Sequence, residues 1–68
     1  MKTIGFQNDL TKYIGLNISQ AFKLASQQDY KARIVEENGK GYVVTTDFLP
    51  NRLNFVVENN LIIKVTLG

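Results

Sequence analysis

A long segment between two strand-like stretches constrains the fold of this chain more than any other feature. Residues 31–36 alternate in polarity and predict one strand, and Arg52–Glu58 alternates as well and predicts another. The connection between them, residues 37–51, is long for a compact domain, in which loops of that length are usually functional or disordered. Because it contains β-branched residues, an aromatic residue and Pro50, the only proline of the chain, we expect it to be ordered and functional.

Helix signals precede the first of these strands. Asn17 is a favourable N-cap residue, and Gln20 follows three positions later, as in a capping box. Apolar residues then recur at helical spacing, which predicts a helix over residues 18–28. Residues 3–6 are compatible with a further short strand.

A β-hairpin is predicted at the other end of the chain. Asn59 and Asn60 form a tight turn between the strand at Arg52–Glu58 and a last strand at Leu61–Leu67. The order of elements favours an α+β fold of one domain, residues 1–68, in which one helix packs on a small mixed sheet and a long exposed loop emerges from it. The expected core residues are Phe22, Ala25, Leu53, Phe55 and Val57.

The residue types that are missing narrow the possible chemistry. The chain has no Cys and no His, so it can form neither a disulfide nor a Cys/His zinc site, and it lacks the usual general base and the thiol nucleophile. Its six acidic residues are not spaced as a pair for acid–base catalysis. The glycine-containing segment at residues 39–41 is too short for a phosphate-binding loop. We therefore expect no enzyme, no cofactor and no metal.

Charge and hydropathy limit the possible partners. The net charge is +2 and the eight basic residues are dispersed, so we expect no nucleic-acid binding. No apolar run approaches the roughly 20 residues that span a bilayer, so we expect no membrane insertion. The first ten residues do not resemble a signal peptide, which fits a cytoplasmic protein or a secreted one whose signal has been removed.

The loop and the strand after it resemble a known family of protease inhibitors. Residues 44–48, Val-Thr-Thr-Asp-Phe, with Arg52 four positions further on, resemble the reactive-site loop of the potato inhibitor I (eglin-like) family. Residues 50–54, Pro-Asn-Arg-Leu-Asn, are closer still to the related bacterial and fungal inhibitors of elastase and subtilisin. Residues 13–15 match as well, so the resemblance covers about residues 10–68.

The resemblance implies a role for each residue of the loop. The scissile bond would be Thr46–Asp47, with Thr46 in the primary specificity pocket of the protease. Arg52 would reach up from the strand beneath and hold the loop, and Asn54 would stand where many plant relatives have a second supporting arginine. The protease-binding loop would comprise Val43, Val44, Thr45, Thr46, Asp47 and Phe48.

The physical chemistry of these residues agrees with the implied roles. A guanidinium carries five donors in a rigid fork, and Asp47 and Thr45 are natural acceptors for it. Stiff β-branched side chains favour an extended backbone, and a loop that is already ordered loses little entropy when it binds. Three plainer interpretations stay open: a solvated strand-edge Arg52, an ordinary polar loop at residues 45–47, and a Phe48 folded back into the core.

The resemblance therefore predicts a serine protease inhibitor. Thr46 has neither the charge that a trypsin-like pocket binds nor the ring that a chymotrypsin-like pocket binds, so an elastase-like or subtilisin-like target is expected. The alternative is a non-inhibitory interaction module of the same fold, which would bind a partner through the loop or a sheet edge. The sequence leaves the oligomeric state open.

Overall fold

One helix packs on one face of a four-stranded mixed sheet, which confirms the predicted α+β fold. The structure, a computed structural model, describes residues 9–68. A 3-10 helix at Leu10–Tyr13 precedes the α-helix, and the strand suggested at residues 3–6 lies outside the described part. The sheet order is β2-β1-β3-β4. The elements are α1 (Ile18–Gln27), β1 (Lys31–Glu37), β2 (Lys40–Gly41), β3 (Arg52–Glu58) and β4 (Leu61–Leu67).

Both ends of α1 are capped. The caps supply hydrogen-bond partners for terminal backbone groups that have none within the helix. The predicted capping box is present, because the Asn17 side chain accepts from the Gln20 amide at 2.8 Å and the Gln20 side chain accepts from the Asn17 amide at 3.1 Å. At the other end Asp29 adopts a left-handed conformation (φ 63°), and the Tyr30 amide donates back to the Ala25 carbonyl. None of the described helices, all within residues 9–68, is long and apolar enough to cross a membrane.

The sheet combines parallel and antiparallel pairing. The hairpin β3–β4 is antiparallel, as predicted, and both of its turn residues, Asn59 and Asn60, have positive φ (51° and 67°), which matches the twist of the strands. β1 and β3 are parallel, with Arg33 beside Asn54 in the register. Parallel neighbours need a crossover, so the chain must return along the whole length of β1 before β3 begins.

The crossover differs from the predicted loop at its start. Residues 37–51 were expected to form one loop, but β1 continues through Glu37 and Lys40–Gly41 pairs with it as β2. Asn38 and Gly39 form the two-residue turn, both with positive φ. Residues 42–51 then lie outside helices and strands. They return along about seven residues of β1, roughly 23 Å at the usual rise of a strand, a distance that these residues can span without full extension.

The core lies between α1 and the sheet. Leu53, Phe55 and Val57 alternate inward along β3 and are buried, as expected. Phe22 was expected in the core as well, but its side chain is 36% exposed and only the edge of its ring packs on Phe55. The other fully buried residues of this cluster are Tyr13, Ala21, Ala25 and Ile62.

The hydroxyl of Tyr13 is buried without a hydrogen-bond partner among residues 9–68. Burial also raises the pKa of this phenol, with a smaller contribution from Tyr30. An unsatisfied buried hydroxyl destabilises the fold, so we expect Tyr13→Phe to raise the free energy of unfolding by about 1 kcal/mol. Urea denaturation measures this change. Tyr42→Phe, which removes an exposed hydroxyl bonded to Glu37, is the control. A lower free energy of unfolding in Tyr13→Phe would show that the hydroxyl does form a hydrogen bond in the folded protein.

Candidate functional site

The chain exposes apolar side chains along the return to β3. Every residue from 42 to 48 is exposed, and Val43 is fully so. Phe48 is 66% exposed, so its side chain is not folded into the core. Exposed β-branched and aromatic side chains in one continuous segment are typical of a surface that binds another protein.

Backbone hydrogen bonds fix both ends of this segment. At its start the Tyr42 amide donates to the Val35 carbonyl of β1 at 2.9 Å. At its end the Arg52 amide donates to the Leu49 carbonyl at 3.2 Å, which closes a turn with Pro50 at its second position, where proline is favoured. The Leu49 amide donates to the Gly68 carbonyl. The residues between these anchors depend on side-chain contacts for their support.

Arg52 is the first such support. Its Nη2 donates to the backbone carbonyl of Asp47 at 2.7 Å and lies 3.5 Å from the Asp47 carboxylate. Nη2 and Nε also donate to the Gly68 carbonyl oxygen, at 2.7 and 3.2 Å. Only 11% of the side chain is exposed, so Arg52 is not the solvated strand-edge arginine that the sequence left open. The guanidinium joins the loop to the end of β4.

Gly68 packs against the far end of the loop. Its amide donates to the Arg52 carbonyl at 2.9 Å. A methyl group on Gly68 would lie 3.1 Å from Cδ1 of Phe48, and φ of Gly68 is 140°, where residues with a side chain are strained. The Phe48 ring therefore rests beside Gly68 while most of its surface faces solvent.

Arg33 is a second support, and the sequence reasoning missed it. Its Nη1 donates to Oγ1 of Thr45 at 3.1 Å, and its Nε donates to Oδ1 of Asn54 at 2.6 Å. Thr45 was expected to accept from Arg52, and Asn54 was expected to support the loop directly. Instead Thr45 accepts from Arg33, and within residues 9–68 the Asn54 side chain accepts from Arg33 rather than bonding to the loop. The alternation of β1, which puts Arg33 on the face opposite Ala32 and Ile34, was the available signal.

The two arginines act on residues that flank Thr46. Thr45 accepts a hydrogen bond from Arg33, and the Thr45 side chain also influences the pKa of the Asp47 carboxyl, which lies beside Arg52. The Thr45 side chain contributes most to the lowered pKa of Asp47, and the charge of Arg52 adds to it, while desolvation acts in the opposite direction. Thr46 itself is exposed between these two held residues.

The lowered pKa of Asp47 predicts how the loop responds to acid. The carboxylate helps to hold the loop at any pH above the ordinary pKa of about 3.9, and this support is lost as the pH falls through the lowered value. We expect NMR titration to find that Thr45→Val raises the pKa of Asp47. Asp9, whose pKa is lowered by its own hydrogen bonds to Thr11, should titrate as before. An Asp47 titration unchanged by Thr45→Val would contradict the link.

The described residues, 9–68, contain no group of three or more acidic, His or Cys side chains that could hold a metal ion. Comparison with protein-family models gave no match, and comparison with curated proteins gave none either.

Proposed function

We propose that the protein is a serine protease inhibitor whose residues 43–48 occupy the substrate cleft of a subtilisin-like or elastase-like enzyme. The bond presented to the enzyme is Thr46–Asp47. The observation that carries the proposal is the contact of Arg52 with both the backbone carbonyl and the carboxylate of Asp47, directly after that bond. The resemblance of residues 44–54 to inhibitors of the potato inhibitor I family supports the same placement.

Holding Asp47 in place opposes product release. When the serine of the protease attacks the Thr46 carbonyl, the C–N bond breaks, and the new amine of Asp47 receives a proton from the enzyme's general acid. Arg52 keeps Asp47 tied to the end of β4, so the amine stays beside the acyl group. The reverse attack then competes with attack by water, and the inhibitor needs no catalytic group of its own.

The anchored loop also favours tight binding. A flexible peptide loses conformational freedom when it enters a cleft, at about 0.5–1.5 kcal/mol for each ordered side chain. Here the crossover, the turn at Pro50 and the two arginines order the loop before the enzyme arrives. Exposed Val43 and Phe48 remain available for pockets on either side of the bond.

Titration of the protein against subtilisin and pancreatic elastase tests the proposal. We expect stoichiometric inhibition of at least one enzyme by the wild type. Thr46→Pro is the control, because proline lacks the backbone amide hydrogen and fixes φ at this position. Absence of inhibition together with rapid cleavage at other bonds would contradict the proposal. A partner captured through the same loop without inhibition would favour the non-inhibitory interaction module.

A further inference from the structure

We propose that Arg33 is a positioning residue that fixes Thr45 on the acyl side of the Thr46–Asp47 bond, with Asn54 setting its orientation. The effect on inhibition rests on the proposed function, whereas the ordering of Thr45 does not depend on it. Arg52 acts on the opposite side of the bond, through Asp47. Two arginines from adjacent strands thus hold the two residues that flank Thr46.

The sheet places Arg33 for this role. β1 and β3 are parallel and in register at Arg33 and Asn54, so their side chains stand next to each other on one face. Both are half-buried. The segment that returns from β2 to β3 brings Thr45 over the same position.

The shape of the guanidinium explains why one residue can serve both contacts. Nε and Nη1 belong to one planar, rigid group, so fixing Nε on the Asn54 carbonyl at 2.6 Å also fixes the direction of Nη1. Nη1 then meets the Thr45 hydroxyl at 3.1 Å. Asn54, which makes no hydrogen bond to the loop among the described residues, matters because it directs Arg33.

The contact with Thr45 acts close to the scissile bond. Arg33 holds Thr45 directly before Thr46, and Arg52 holds Asp47 directly after it. Because Arg33 and Thr45 contact each other directly, the effects of replacing both should not be additive.

Arg33→Met tests the inference without a protease. We expect the backbone order parameters of residues 45–47, measured by ¹⁵N relaxation, to fall from about 0.85 to below about 0.6. Lys31→Met is the matched control, because Lys31 lies two residues earlier on β1, is exposed, and makes no side-chain hydrogen bond or ion pair within residues 9–68. Unchanged order in Arg33→Met, or an equal fall in Lys31→Met, would overturn the inference.

Measurements of Ki and of cleavage with the protease that the wild type inhibits complete the test. Arg33→Met should raise Ki and the rate of hydrolysis at Thr46–Asp47 by about tenfold each, and Thr45→Val should do the same. The double variant should be no worse than either single one within about twofold. Additive effects would overturn the inference. Thr45→Val also replaces Arg33→Met as the test if the latter does not fold, because Thr45 is exposed. If the wild type fails to inhibit, the proposed function falls, and the order parameters still decide the role of Arg33.

Discussion

Replacing Arg52 by methionine is expected to turn the proposed inhibitor into a substrate. The variant keeps an apolar stem in the largely covered site but loses the bonds to Asp47 and Gly68. Hydrogen bonds from a charged donor contribute about 1.5–3 kcal/mol each, so losing the one to Asp47 together with the two to Gly68 should raise Ki about 100-fold or more. The cleaved loop should separate, and hydrolysis at Thr46–Asp47 should run to completion.

The carbonyl contacts should carry most of this effect. The Asp47 carboxylate is 54% exposed and 3.5 Å from Nη2, and exposed ion pairs contribute little. Asp47→Asn should therefore weaken inhibition far less than Arg52→Met. Lys31→Met, which removes one charge from the register partner of Arg52, is the control for net charge. Unchanged inhibition in Arg52→Met would show that the loop is held by other means.

Replacing Phe55 by alanine is expected to cause the largest loss of stability of any single truncation in the core. Phe55 is fully buried at the centre of the core, with the rings of Tyr13 and Phe22 at centroid distances of 5.6 and 5.8 Å. Truncating a buried phenylalanine costs about 3–5 kcal/mol. A domain of this size has a free energy of unfolding of about 3–10 kcal/mol, so the loss amounts to roughly a third of it or more. Circular dichroism and urea denaturation measure the loss.

Phe22→Ala provides the comparison for Phe55→Ala. Phe22 is partly exposed and contacts Phe55 from the helix side, so its truncation should cost roughly half as much or less. Equal losses in the two variants would mean that the core is centred on α1 rather than on β3.

Local signals explain why much of the fold could be predicted. The capping box at Asn17, the alternation of β3 and the Asn59–Asn60 turn each depend on neighbours in sequence, and the corresponding elements were predicted to within a residue or two. β2 was missed because two residues carry no period of their own. Phe22 was wrongly predicted to be buried. Helical spacing identifies the apolar face of α1, but it does not show how far the sheet extends beneath that face.

The candidate site was only partly accessible to sequence reasoning. Arg52 could be related to Asp47 because it lies only five positions further along the chain, after a single turn. Arg33 could not be related to Thr45 in the same way. Their contact depends on the parallel register of β1 and β3 and on the path of the crossover, which no short pattern encodes. The hydrogen bond between Arg33 and the Asn54 side chain depends on the same register, so it could not be predicted from a short pattern either.

The central claim is that the loop is held on both sides of Thr46–Asp47 and is therefore a poorly released substrate. The most direct measurement incubates the protein with a catalytic amount of subtilisin and follows intact and cleaved forms by mass spectrometry. We predict one slow cut, at Thr46–Asp47, and the same final ratio of the two forms when the reaction starts from purified cleaved protein. Complete cleavage from the intact side, with no resynthesis from the cleaved side, would contradict the account.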